Sequence, residues 1–438
     1  TPKEAVAAGL GWATSHLQYA VLVAFVTVLI PLAYPKYWEK SSFIPSSRTS
    51  GALQLPNGLD AQGHPWIGST LPALTITAFS DYECPFCQRS NFRLRELLVD
   101  AADSVRVIHR HYPLDHQCNP SIREPFHAKA CLFAYAAYCA GKQGHFWALS
   151  DLLYISGPRL DKEQLPEKAK EIGLHPNDFA ACLDSEQAKS YVQQDILDGT
   201  KKMVQGTPTF FAKGRDHALP QGFTAEGYAW IGAEQPRVTI EEFTDYTCPS
   251  CQREHQALRE KVRQHKDTLR LIRRHYPLDP SCNPSADKAS HPMACLLAKA
   301  SHCAGKQKLF WPMNDLLHDT HKSLDREKLV DWAFYLGLDR KIFVECLESK
   351  DSDAFLQQDI EAGKRLHIRV TPAFLLNGKS YTGSLPSDAL RSALLPPTVP
   401  RSLAPLPRTP TSQPVLPLQR TPVSLPSTHS PTSRPQRR

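Results

Sequence analysis

The chain has 438 residues, 41% hydrophobic and 22% charged, with a net charge of +7, 37 prolines and 12 cysteines. That length exceeds one ordinary domain, and the composition excludes both a wholly disordered chain and a polytopic membrane protein. The charge gives no support to a folded nucleic-acid surface. Six of the seven net positive charges are arginines of an acid-free tail at 396–438, leaving one for everything else.

The first predicted element is an uncharged hydrophobic run of 18 residues, 17–34, after a flank at 1–16. Its length suits a bilayer, for which about 20 residues are typical. It carries no polar stripe of the kind a buried helix of a soluble domain shows. A transmembrane helix is therefore expected over 17–36. No basic stretch precedes the run and no small-residue cleavage pattern follows it, which argues against a cleaved leader. Residues 37–61, rich in Ser, Pro and Gly, read as a tether. A first domain is expected over 62–214. It has buried strands at 74–79 and 105–109, a helix between them, a helical block at about 126–203 and a strand at 209–212. A linker at 215–225 leads to a second domain at 226–395 with the same order of elements. Only this second domain continues into a strand at 380–382 and a last helix near 387–395. The tail, 396–438, holds 12 of the 37 prolines and reads as disordered.

The two domains are a duplication. A shift of 164 residues superposes Trp66-Ile67-Gly68 on Trp230-Ile231-Gly232 and Asp81-Tyr82 on Asp245-Tyr246. The same shift maps cysteines 84, 87, 118, 131, 139 and 182 onto 248, 251, 282, 295, 303 and 346. A period this long marks a repeated domain and not a solenoid, whose repeats run about 20–50 residues.

Chemistry is expected where each first strand meets a Cys-Pro-x-Cys: CPFC at 84–87 and CPSC at 248–251. The first cysteine falls at a helix start, where free backbone N–H groups and the helix dipole favour a thiolate. Proline suits the first helical position because its missing N–H is not needed there. The second cysteine lies one turn on, close enough for a reversible disulfide. Cys84, Cys87, Cys248 and Cys251 are therefore the candidate catalytic residues. The competing reading is a zinc or copper site, but paired Cys-x-x-Cys ligands usually lie about 12–20 residues apart. No metal or other cofactor is expected. Asp81, Asp245, His109, His111 and His275 lie near these positions and read as strand and turn residues outside the catalytic set.

DYECPFC with TPTFF, and DYTCPSC with TPAFLLNG, resemble the thioredoxin-like superfamily, and more closely its DsbA-like branch. That resemblance implies an α/β fold of two tandem thioredoxin-like domains, each with a helical insertion. It implies that Cys84 and Cys248 attack while Cys87 and Cys251 resolve. It also implies that Pro208 and Pro372 are cis-prolines facing the active site, with Thr207 and Thr371 pairing to substrate backbone. The Pro-Phe and Pro-Ser dipeptides depart from the Pro-His typical of DsbA.

Four cysteines remain per repeat: Cys118, Cys131, Cys139 and Cys182, then Cys282, Cys295, Cys303 and Cys346. Cys131 and Cys139 are eight residues apart on one predicted helix, about 12 Å along its axis, and cannot bridge each other. Two connectivities stay open: 118–131 with 139–182, or 118–139 with 131–182. The first is favoured because it closes a short loop. Buried free thiols are the alternative.

These readings converge on a membrane-anchored thiol:disulfide oxidoreductase acting on protein substrates, as a dithiol oxidase, with a membrane re-oxidising partner. The alternatives are a reductase or isomerase, or a metal-binding or thiol-buffering module. The cysteines and the resemblance place the domains in the periplasm of a bacterium, beside its inner membrane. Lys36, Lys40 and Arg48 after the hydrophobic run, against Lys3 before it, argue for the opposite side.

Overall fold

The computed structural model describes residues 55–286 and 291–395. The expected transmembrane helix, most of the tether and the tail lie outside them. Among the described residues no helix is long and apolar enough to cross a membrane.

The first domain begins with a short hairpin, β1 (Asn57–Leu59) and β2 (Pro65–Gly68). A β-α-β unit follows: β3 (Leu74–Ser80), α1 (Pro85–Ala101) and β4 (Val105–His111). The helical block is α2 (Ala130–Lys142), α3 (Phe146–Ser156), α4 (Leu165–Glu171), α5 (Pro176–Leu183) and α6 (Glu186–Lys201), and β5 (Thr209–Gly214) closes the domain. The second domain repeats this with β6 (Gln221–Phe223), β7 (Ala229–Gly232), β8 (Val238–Thr244), α7 (Pro249–Gln264) and β9 (Leu269–His275). Its block is α8 (Ala294–Lys306), α9 (Phe310–Thr320), α10 (Arg326–Tyr335), α11 (Arg340–Leu347) and α12 (Lys350–Arg365), before β10 (Ala373–Leu376). It then adds β11 (Lys379–Thr382) and α13 (Ser387–Leu394).

The strand orders are β1-β2-β4-β3-β5 and β11-β10-β8-β9-β7-β6. In each sheet one pair is parallel, β3 with β4 and β8 with β9. A parallel pair needs a crossover, and the helix that follows the Cys-x-x-Cys supplies it. The helical blocks are tied to the sheets through buried acids. Asp195 of α6 pairs with Arg110 and accepts a bond from the His111 N–H (2.8 Å). Asp359 of α12 does the same with Arg274 and the His275 N–H (2.7 Å).

Four strands, β1, β2, β6 and β7, fall where the sequence suggested none. β1 lies in the segment read as tether, and β6 lies in the segment read as linker. Each is only three residues long, too short to show a period of two. Each centres on a glycine facing a tryptophan across the hairpin, Gly58 opposite Trp66 and Gly222 opposite Trp230. A Cβ at Gly58 would stand 3.0 Å from the Trp66 ring, so a side chain there would push on the indole.

The main asymmetry is at the end of each repeat. In the second domain α13 places Leu390 in one buried cluster with Val238, Ile240, Leu258 and Phe374. The first domain has no counterpart of β11 or α13. Its Ile76, Leu94, Leu97, Val107 and Phe210 instead share a single core with Leu297, Met313, Leu316, Trp332 and Tyr335 of the second domain. Phe210 of β5 meets Phe334 and Tyr335 edge-on, with centroids 5.3 and 5.1 Å apart. The turn after α10 presses on β5, where a Cβ at Gly337 (φ +90°) would stand 2.6 Å from the Phe210 carbonyl oxygen. Ion pairs rim the junction: Arg93 Nε to Asp331 (2.8 Å) and Lys328 Nζ to Asp100 (3.0 Å). Both sheets thus belong to one compact unit, which ends at Leu394.

Trp332 is 1% exposed in this shared core. Trp332→Ala is expected to destabilise the chain by about 3–5 kcal/mol. Hydrogen exchange checks where the loss falls: amides of β3 and β4 should lose protection along with those of α10, although Trp332 belongs to the other repeat.

Candidate active sites

Cys84 occupies the cap position of α1 with extended backbone (φ −76°, ψ 118°), and Pro85 opens the helix. Cys248 does the same on α7 (φ −83°, ψ 119°) before Pro249. Neither helix start receives a side-chain cap, so its N–H groups remain directed at the sulfur. Cys87 and Cys251, one turn on, are deeper, at 1% and 0% exposure against 4% and 6% for Cys84 and Cys248. All four are free thiols here.

The bonds Thr207–Pro208 and Thr371–Pro372 are cis. They bring the threonine carbonyls onto the outer sulfurs: Cys84 Sγ lies 3.4 Å from Thr207 O and Cys248 Sγ 3.5 Å from Thr371 O. The two threonine hydroxyls are buried beside the sulfurs. Each is close enough to the sulfurs to stabilise a thiolate. Cysteine, threonine and cis-proline thus converge on one point in each domain.

The sulfurs of each pair are driven apart in acidity. The thiol of Cys87 donates to Cys84, and backbone N–H groups of the helix start and the Thr207 hydroxyl add to it, lowering the Cys84 pKa to about 6. The same arrangement around Cys251 and Thr371, with the Ser250 hydroxyl 3.7 Å from Cys248 Sγ, lowers the Cys248 pKa to about 5. Burial pushes Cys87 and Cys251 the other way, and the negative charge of the outer sulfur adds to the rise. The outer cysteine is a thiolate at neutral pH and the inner one a thiol, the division of labour a nucleophile and its resolving partner require.

The remaining cysteines lie away from these sites and are paired: Cys118 with Cys131, Cys139 with Cys182, Cys282 with Cys295, and Cys303 with Cys346. That is the connectivity closing the short loop.

The layers beneath the two sites differ. Position 78 is alanine, and the buried neighbours in the first domain are His109 and His111, 3.3 Å apart and both shifted toward the neutral form by burial. Position 242 is a glutamate with no exposure, ion-paired to Arg273 at 2.8 Å. His275 is bound to Asp359 and Ser301. The hydrogen-bond partners of these histidines are residues of the sheets and helical blocks and not the sulfurs. Sequence reading missed Glu242, because it stands beside Glu241 in the strand and nothing in the sequence marks which of the two acids is buried. It also missed His127 and His291, which hydrogen-bond Asp81 and Asp245.

A thioredoxin family model matches residues 60–225 and again residues 224–395. The chain belongs to the thioredoxin family. The helical insertion between β4 and β5, and between β9 and β10, makes both thioredoxin domains DsbA-like. Each carries its Cys-x-x-Cys pair at the start of the first long helix. Similar solved structures include DsbA2 of Pseudomonas aeruginosa, 24% identical, covering 37% of this chain and 90% of that one, with a TM-score of 0.29. Another is a thioredoxin-like oxidoreductase of Silicibacter pomeroyi, 20% identical, covering 39% and 91%, with a TM-score of 0.33. Among curated proteins the chain is 34% identical over 160 residues to a protein named Na(+)/H(+) antiporter NhaA 3 of Salinispora tropica, covering 36% of this chain and 23% of that protein. It is 30% identical over 142 residues to one named Na(+)/H(+) antiporter NhaA of Herminiimonas arsenicoxydans, covering 32% and 21%. The chain thus spans less than a quarter of the length of these curated relatives.

Alkylation by iodoacetamide follows the thiolate fraction and rises with pH through the thiol pKa. The reduced thioredoxin domains should react at Cys84 with a midpoint at about pH 6 and at Cys248 with a midpoint at about pH 5. Cys87 and Cys251 should stay unmodified across that range. Midpoints at the ordinary thiol value of about 8.5 would contradict the site electrostatics.

Proposed function

We propose that this chain is a membrane-anchored dithiol oxidase that inserts disulfides into protein substrates outside the cytoplasm. The observation that carries the reading is the depressed pKa of the outer thiol in both sites. A stabilised thiolate favours the reduced Cys-x-x-Cys, and so makes its disulfide an oxidant. A substrate thiolate attacks Cys84 Sγ of the Cys84–Cys87 disulfide, and the Cys87 thiolate leaves and takes a proton. A second substrate thiolate then attacks the substrate sulfur of the mixed disulfide and expels the Cys84 thiolate. The substrate gains a disulfide, and two electrons rest on the Cys84–Cys87 pair. The second domain runs the same exchange through Cys248. A re-oxidant in the membrane returns each pair to the disulfide.

Four paired structural disulfides support an oxidising compartment. The hydrophobic run at 17–34 supports anchoring, and so does similarity to part of proteins named as antiporters. The cations after that run oppose the sidedness, and protease protection on membranes tests it. The direction of exchange is read by equilibrating the purified chain with glutathione. A reduction potential near about −120 mV is the expected outcome, and one near about −270 mV would make the protein a reductase.

A further inference from the structure

The segment that enters the helical block differs strongly between the repeats. REPFHAKAC at 123–131 faces DKASHPMAC at 287–295, and only His, Ala and Cys coincide. The retained histidines have the same partner. His127 Nδ1 lies 2.9 Å from Asp81 Oδ2, and His291 Nδ1 lies 2.8 Å from Asp245 Oδ2. Both carboxylates are fully buried. Each is fixed by further bonds: Asp81 accepts from the Leu114 and Glu83 N–H groups (both 2.7 Å), and Asp245 from those of Leu278 and Thr247 (both 2.8 Å). Each aspartate also accepts, through its main-chain carbonyl, the N–H of the attacking cysteine, Cys84 at 3.3 Å and Cys248 at 3.1 Å. The disulfides Cys118–Cys131 and Cys282–Cys295 close the loops that carry the two histidines. One rigid pivot thus holds the imidazole and the nucleophile together, twice.

We propose that His127 and His291, held by Asp81 and Asp245, are positioning residues whose positive charge stabilises the Cys84 and Cys248 thiolates. The charged groups acting on His127 are Asp81, Glu83 and Cys84. For His291 they are Asp245, Cys248 and Asp279. Burial works against the charge on His127, but the bond and charge of Asp81 outweigh it and raise the histidine pKa. At His291 the bond to Asp245 is the largest effect and acts in the same direction. Both imidazoles therefore hold a proton better than a free histidine, within electrostatic reach of a thiolate. Neither Phe86 nor Ser250 of the dipeptides carries a charge, so the cation comes from outside the Cys-x-x-Cys.

The inference rests on Cys84 and Cys248 being the attacking thiols. It does not depend on whether the enzyme oxidises or reduces, so an unexpected glutathione equilibrium leaves it standing. The test uses the full chain with His127→Gln, which keeps a hydrogen-bond donor toward Asp81 and removes the charge. Alkylation is followed by peptide mass spectrometry, so that the second site serves as internal control. The Cys84 midpoint should rise by about one pH unit while the Cys248 midpoint stays in place, and His291→Gln should give the reverse. An unmoved Cys84 midpoint, or an equal rise at both cysteines, overturns the proposal. A second measurement needs no variant. Coupling is reciprocal, so the imidazole NMR titration of His127 in the native chain should have a higher midpoint in the reduced than in the disulfide form. Identical midpoints in the two forms overturn it as well.

Discussion

An apolar sheet face cannot be left open to water, and in this chain that constraint sets the architecture. The first thioredoxin domain packs Leu94 and Leu97 of its own α1 with Ile76, Val107 and Phe210, but ends at β5 with no closing helix like α13 to complete the cover. The helical block of the second domain covers them, with Trp332 at the centre of the contact. The two domains are consequently halves of one hydrophobic core and not beads on a linker. Both sheets lie within the one compact unit that ends at Leu394.

Within that frame the two sites share a plan and differ in detail. Helix start, cis-proline loop and buried partner thiol recur with little change. The side chains behind the sulfurs do not: a pair of neutral histidines in one domain, an ion pair of Glu242 and Arg273 in the other. A buried ion pair is held in place by the high cost of breaking it, about 3–5 kcal/mol when one partner is removed. The second site therefore has less freedom to vary than the first.

Much of this was legible in the sequence because it depends on local order. The 164-residue shift, the strand before each Cys-Pro-x-Cys and the helix after it follow from residues adjacent in the chain. The threonine–proline pairs were placed by resemblance alone. The shared core was not legible. Leu97 and Trp332 are 235 positions apart, and each reads as an ordinary core residue of its own repeat. The missing last helix of the first domain was visible as an absence, but what replaces it is a tertiary fact. His127 escaped notice for a related reason, since its partner Asp81 is 46 residues away and its own neighbourhood has diverged.

The shared core also bears on how the chain could be divided. Cut after β5, the first domain would expose the face that now meets α10, and the second would expose the α10 side chains that cover it. A stable fragment must therefore carry both repeats.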